Sequence, residues 1–170
     1  MMIKMVSAGI ATASLLMITQ FAFAEEHADR AALAKAVAPV SVSLQQGLTA
    51  SEKDGKPISA KFELDEGALQ LSVYTSNGKA FSEVIVDHQS AAIKKSEVIT
   101  DAGDLKHAHS QLAAVAKAKR SLAQAVESAV QANSGYRAVS AVPTMKANHP
   151  VANVMLVKGA QFKTVVETLD

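Results

Sequence analysis

The feature that most constrains the fold is a stretch from Gly67 to Asp87 that recurs near the C-terminus of the chain. Every second residue from Leu69 to Val73 is apolar, which is typical of a strand with one buried face. Asn77 and Gly78 then tolerate the positive φ that a tight reversal requires, and an apolar run over residues 81–86 returns. The stretch therefore predicts a β-hairpin.

The recurrence has two spacings. Pairs of identical or similar residues lie 81 apart in the strand regions: Ile58/Val139, Ser59/Ser140, Ala60/Ala141, Val73/Val154, Gly78/Gly159, Phe81/Phe162 and Val84/Val165. In the helical regions the spacing is 78: Ser43/Ser121, Leu44/Leu122, Gln46/Gln124 and Leu48/Val126. The second copy thus carries three extra residues between its helix and its first strand, where an insertion falls in a loop.

The recurrence predicts an α+β protein of two units, residues 25–100 and residues 101–170. Each unit is expected to be a helix followed by a three-stranded antiparallel sheet, with the helices packed on one sheet face. The units could join helix beside helix or sheet edge to sheet edge, and either arrangement would cover an edge strand. They could also pack as one globular domain.

Other elements follow from periodicity and breakers. The alanine-rich region over residues 25–53 predicts either a helix kinked at Pro39 or two helices, the second ending near Gly55. A short extra strand is possible over residues 93–99. One long helix is expected from an N-cap at Asp101 or Asp104 to about Ala132.

Residues 1–24 have the pattern of a secretory signal peptide. Lys4 precedes an apolar run from Val6 to Ile18, and small residues stand at Ala22 and Ala24, as a cleavage site requires. The run is shorter than the roughly 20 apolar residues of a membrane anchor. We expect cleavage after Ala24 and export to the periplasm or the medium.

Charge and cysteine content exclude several classes of site. Removing residues 1–24 takes away Lys4 and no acid, so 16 basic side chains balance 16 acidic ones, and nothing favours nucleic acid. The chain has no cysteine, hence no disulfide, lipid-anchor cysteine, thiolate metal site or cysteine nucleophile. We expect no association with the membrane after cleavage.

The order of elements resembles tandem PepSY domains, modules found in propeptides of secreted metallopeptidases and in bacterial cell-envelope proteins. The resemblance rests on "GKPISAKFEL" and "LQLSVYTSNGKAFSEVIVD" in the first half and on "GYRAVSAVP" and "HPVANVMLVKGAQFKTVVETLD" in the second. PepSY units usually continue after the final aspartate with a Thr-Gly type turn. Here His88 to Ala91 follow Asp87, and the second copy stops at Asp170.

The resemblance implies a non-enzymatic module that binds a protein or restrains a peptidase, without a cofactor. Its partner would be a protein of the cell envelope, and the sequence does not identify it. Residue patterns agree with this expectation, because neither a G-x-S-x-G nucleophile elbow nor a phosphate-binding glycine loop occurs.

A metal-binding protein is the alternative. The histidines available for it are His27, His88, His107, His109 and His149. His107 and His109 are weak candidates, because two residues apart on a helix they point about 200° apart, whereas helical metal pairs use a spacing of four.

The candidate partner-binding residues lie on the second face of the predicted hairpins. If Leu71 and Val73 face the helix, Tyr74 points away from it, and Phe81 and Ile85 join Tyr74 for one hairpin register. Phe162 and Val166 hold equivalent positions in the second copy. Left uncovered, such an apolar face would be a binding surface. The alternative is that the sister unit covers it.

Overall fold

A computed structural model describes residues 27–170, so the predicted signal peptide lies outside the described residues. Helix α1 is helical over residues 27–37. The other helices are α2 (Leu44–Ser51), which a 3₁₀ turn over Glu52–Asp54 extends, α3 (Ala102–Lys117) and α4 (Leu122–Gln131). The strands are β1 (Lys56–Asp65), β2 (Ala68–Ser76), β3 (Phe81–Val86), β4 (Ile93–Val98), β5 (Arg137–Lys146), β6 (His149–Lys158) and β7 (Gln161–Thr168).

All seven strands belong to one antiparallel sheet in the order β4-β3-β2-β1-β5-β6-β7. The α+β class is confirmed, but the strands do not form two separate three-stranded sheets. The first strands of the two halves, β1 and β5, pair through Ala60 with Ala141 and Lys61 with Ser140. β4, the extra strand considered from the sequence, lengthens the sheet at one edge.

The two hairpin systems have the same register. Ala60 pairs with Val73 in the first half, and the equivalent residues Ala141 and Val154 pair in the second. The register shifts also correspond, since one lies between Pro57 and Ser59 and the other between Ala138 and Ser140. Positive φ recurs at the same spacing at Glu66 and Ala147 and at Gly78 and Gly159.

One face of the sheet, called here the inner face, carries the main apolar core. Leu71, Val73 and Val84 point to it and are fully buried. Helix α2 lies on this face, where Gly47 comes so close to Leu71 that a Cβ would sit 2.6 Å from Leu71 Cδ2. Helix α4 packs beside α2. The halves are therefore joined in two ways, by the packing of α2 beside α4 and by the pairing of β1 with β5. Both arrangements were considered from the sequence.

The expectation that the helices pack on one sheet face is wrong, because α3 and α1 lie on the opposite face, called here the outer face. Ser59 Oγ, which points outward from β1, donates to Gln111 Oε1 of α3 at 2.8 Å. On the other half, the Arg30 guanidinium of α1 lies 5.9 Å from the Phe162 ring centroid. Small buried residues such as Ala108 and Ala114 let α3 approach the sheet closely.

The single helix expected up to Ala132 is also wrong. The chain leaves helical geometry at Ala118 (φ −72°, ψ 139°), and the backbone amides of Lys119 and Arg120 both donate to Leu169 O. Helix α4 then restarts with a capping box, in which Ser121 Oγ accepts from the Gln124 amide and the Gln124 side chain accepts from the Ser121 amide. The break lets α3 and α4 lie on opposite faces of the sheet.

Pro39 separates two helices rather than kinking one, as one of the two interpretations of that region predicted. Helix α2 starts with a capping box built from Ser43 and Gln46, and its 3₁₀ extension ends before Gly55. The cap residues of α2 and α4 have the same spacing as the helical similarities in the sequence.

Candidate functional site

The four candidate partner-binding residues all point to the outer face. Ile85 pairs with Ser72 and Phe81 pairs with Ser76, while Val84 pairs with Val73 on the inner face. Tyr74 is opposite Glu83, and Phe162 is opposite Val157. The hairpin register that would bring Phe81 and Ile85 to the side of Tyr74 is therefore the observed one. Two helices cross this face: Tyr74 and Phe81 lie under α3 and Phe162 lies under α1, while Ile85 is half-buried.

Phe81 is covered by α3. Its side chain is 7% exposed, and its ring meets the His109 ring edge-on with centroids 4.7 Å apart. A partner could reach Phe81 only if α3 moved away. For this residue the sister unit covers the outer face, which was the alternative to an open binding surface.

Tyr74 lies at the bottom of a small polar hollow under α3. The hollow has a volume of about 150 Å³ and is lined by Ser59, Asp104 and His107 among others. Burial raises the pKa of Tyr74 to about 12, and the negative charges of Glu83 and Asp104 add to the effect. Asp104 is the carboxylate to which the Tyr74 hydroxyl donates a hydrogen bond.

Phe162 lies under α1, at the side of a larger hollow. This hollow, of about 430 Å³, is lined by Leu33 of α1 and by Met155 and Phe162 of the sheet, with Lys61 and Glu63 at its other side. Lys61 and Glu63 form an ion pair of 2.5 Å. The hollow thus combines an apolar wall with a charged rim, which suits an amphipathic chain segment better than a small polar molecule.

Beside this hollow the outer face is partly open, although Val142 also lines the small hollow under α3. Val142, Asn153 and Val166 form one row across β5, β6 and β7, and they are called here the outer strip. Val142 is 38% exposed and Val166 is 51% exposed. Val166 was noted from the sequence as equivalent to Ile85, but Val142 was missed. The alternation of β5 around Ser140 would have placed Val142 on this face.

At the junction of the two halves, two basic residues hold backbone carbonyls of the opposite half. The Arg137 guanidinium donates to the carbonyls of Val37, Val40 and Val42, the latter two at 3.2 Å. The equivalent residue of the first half, Lys56, donates from Nζ to Val115 O at 3.2 Å. Burial lowers the pKa of Arg137 from its usual value. These contacts join the halves.

The histidines are dispersed. His109 contacts Phe81, His107 lines the hollow at Tyr74, and His149 Nδ1 lies 2.8 Å from Asp170 Oδ2. Within residues 27–170, no group of three His, Cys, Asp or Glu side chains is arranged to hold a metal ion. The two weak metal candidates, His107 and His109, thus have different surroundings on α3.

Within residues 27–170, no helix has both the length and the apolar character needed to cross a membrane. No protein-family model and no curated protein matches the chain. A search of solved structures found a candidate lipoprotein from Clostridium difficile that is 14% identical, with a TM-score of 0.39, and the match covers 71% of this chain and 79% of that chain. The comparisons place the chain in no family, so its function has to be argued from its own surface.

Proposed function

We propose that this chain is an exported, non-enzymatic binding module of two PepSY-like units that engages or restrains a cell-envelope protein or peptidase through its outer sheet face. The proposal has two parts. The first concerns the architecture of two units, and the second concerns the surface that binds.

The two-unit architecture is supported by equal hairpin registers, corresponding register shifts and two capping boxes at the spacings of the sequence similarities. The pairing of Ala60 with Ala141 joins residues that are themselves equivalent in the two halves. An approximate two-fold axis at this pair would relate the halves. A duplicated unit would produce this arrangement, in which each half lends a helix to the outer face of the other.

The observation that carries the binding proposal is the exposed outer strip next to an apolar hollow. Val142 and Val166 expose part of their apolar side chains on the outer face, and Met155 and Phe162 continue this surface to Leu33 under α1. Two valines whose side chains are 38% and 51% exposed, beside an apolar hollow, form the kind of surface that protein partners bury. The ligand that suits it is an extended or helical protein segment with an apolar side.

The binding surface can be tested with a charge on the outer strip. We expect the double substitution Val142→Glu and Val166→Glu to reduce capture of the envelope partner at least tenfold, because two carboxylates would have to be desolvated in the contact. Capture is measured by cross-linking in the native envelope fraction followed by mass spectrometry, with unfolding curves to show that both proteins are folded.

The matched control is Val98→Glu. Val98 is 61% exposed and lies on edge strand β4, where it pairs with Ser82 on the inner side of the sheet. This variant should capture the same protein as the unmodified chain does. Equal capture by the control and the double variant would exclude the outer strip as the binding surface.

A further inference from the structure

The free edge of β7 presents backbone groups that can accept another strand. Leu169 N donates to Pro150 O at 2.9 Å. In the register of β7 against β6, the backbone groups of the odd-numbered residues of β7 therefore form the hydrogen bonds to β6. Because alternate residues of an antiparallel strand bond to opposite sides, the backbone groups of Phe162, Thr164 and Val166 point away from β6. Within residues 27–170, no strand lies beyond β7.

The equivalent edge in the first half is occupied. The residues equivalent to Phe162 and Thr164 are Phe81 and Glu83, and their strand pairs with β4. Ile99 N donates to Phe81 O at 2.9 Å, and Glu83 is opposite Glu97. Since β3 and β7 have equivalent registers against β2 and β6, the edge of β7 has the backbone geometry that binds an antiparallel strand on β3.

The other free edge of the sheet is protected by charge. On β4, Lys94 pairs with Asp87 at 2.9 Å and Lys95 pairs with Glu97 at 2.7 Å. Charged side chains along an edge strand disfavour pairing with another chain. β7 carries a lower density of charge, since two of its eight residues are charged, Lys163 and Glu167 on either side of Val165, whereas three of the six residues of β4 are charged.

We propose that β7 is a dimerisation edge to which a second copy of this chain adds its own β7 in antiparallel orientation. Val165 then lies opposite Val165 of the second copy, and Lys163 lies opposite Glu167 on the same sheet face. Thr164 and Val166 exchange backbone hydrogen bonds with Val166 and Thr164 of the second copy. The two-fold axis produces each contact twice, and the two sheets become continuous.

The charges specify both the occupant and the register. A shift of two residues would put Lys163 opposite Val165 and would lose both pairs of opposite charges, whereas opposite charges across a strand pair are favourable. The charge pattern of β7 is thus complementary to a second copy of β7. The two proposals share Val166, which lies on β7, but Val142 of the outer strip lies on β5, two strands from this edge. Substitution of Val142 alone therefore tests the binding surface without changing the dimer edge.

The test removes an outward-facing donor. Sedimentation velocity of the exported protein over a range of concentrations should show a monomer–dimer equilibrium. Thr164→Pro should raise the dimer dissociation constant about tenfold or more, because proline cannot donate and its amide faces the free edge. Ser96→Pro is the matched control. The residues on either side of Ser96 bond to β3, so the amide of Ser96 itself faces the free edge of β4. This variant should dimerise as the unmodified protein does.

A charge exchange tests the register. Glu167→Lys and Lys163→Glu should each weaken the homodimer, since like charges then face each other, and an equimolar mixture of the two variants should form a heterodimer. Thermal unfolding checks that each variant is folded, which matters for Lys163 because its Nζ also lies 4.1 Å from the Tyr136 ring centroid.

Three results would overturn the proposal: a monomer at every concentration, a dimer that survives Thr164→Pro, or a mixture that forms no heterodimer. Binding of an unrelated extended peptide to a monomeric protein, with loss of that binding in Thr164→Pro, would also overturn it. That outcome would assign the edge to a strand of another protein.

Discussion

Arg137 and Lys56 occupy equivalent positions in the two halves but bind the opposite half with different numbers of hydrogen bonds. Both residues stand at the start of the first strand of their half and both donate to carbonyls of the other half. Arg137 is half-buried and reaches three carbonyls, whereas Lys56 is exposed and reaches Val115 alone in the hydrogen bonds observed. A planar guanidinium with five donors can satisfy several carbonyls at once, and an ammonium on an exposed stem gains less.

Replacing Arg137 should therefore destabilise the protein more than replacing Lys56. We expect Arg137→Met to lower the free energy of unfolding by about 2–4 kcal/mol, because buried carbonyls would lose a charged donor. Lys56→Met should cost less than about 1 kcal/mol, as exposed interactions usually do. Urea denaturation measures both, and equal losses would contradict the role given to Arg137.

At the residue scale, the sequence predicted direction but not exposure. Strand alternation correctly put Tyr74 on the face opposite Val73, and one of the possible hairpin registers, the observed one, also put Phe81 and Ile85 there. It could not show that His109 covers Phe81, because this contact joins a residue of helix α3 to a residue of strand β3, far apart in the chain. Burial of a side chain depends on what packs over it, and strand periodicity contains no information on the covering helix.

At the element scale, helices α2 and α4 show compensating volumes. Gly47 of α2 corresponds to Ala125 of α4, and Leu71, which lies against Gly47, corresponds to Ala152. Ala125, Leu71 and Ala152 are all fully buried. The first half thus combines a very small helix residue with a large strand residue, whereas the equivalent two residues of the second half are both alanine. Close packing requires such a balance, because the interior has little spare volume.

This balance predicts a coupling between Gly47 and Leu71. Gly47→Ala should destabilise the protein by about 1 kcal/mol in spite of the better helix propensity of alanine, because its Cβ would overlap Leu71 Cδ2. Leu71→Ala alone should cost about 2–5 kcal/mol. The double variant should be more stable than the sum of the two changes by about 1 kcal/mol in a double-mutant cycle. Strict additivity would contradict the compensation.

The break between α3 and α4 was recognisable in the sequence. Ser121 and Gln124 have the spacing of a capping box and repeat Ser43 and Gln46, which start α2. The apolar stripe that runs through the region instead predicts one continuous helix. The bonds from Lys119 and Arg120 to Leu169 O, at 2.7 and 3.1 Å, help to fix the break, and these depend on the tertiary fold.

At the scale of the whole molecule, the halves exchange helices. Helix α3, from the second half, covers Phe81 of the first, while α1 lies over Phe162 of the second. Arg137 adds bonds from the second half to Val37, Val40 and Val42 of the first. The boundary predicted at residue 100 therefore separates sequence units whose packing surfaces are shared.

We expect residues 25–100 and residues 101–170 to be unable to fold separately. Each fragment would expose the face of its strands that the other half covers, and a unit of this size has a thin core. Circular dichroism should show no cooperative thermal transition for either fragment alone, and mixing the two fragments should restore one. A cooperative transition in one isolated fragment would contradict this prediction.

The sequence by itself determined the hairpins, the turns at Gly78 and Gly159 and, as one of two candidates, the N-cap of α3 at Asp101. These features depend on the alternation of side chains, on the tolerance of glycine for positive φ and on side-chain bonds to nearby amides, all of which act over a few residues. Only the tertiary structure decided that seven strands form one sheet and that α1 and α3 cross its outer face. Those outcomes depend on complementary surfaces of elements far apart in the chain, which local patterns do not encode.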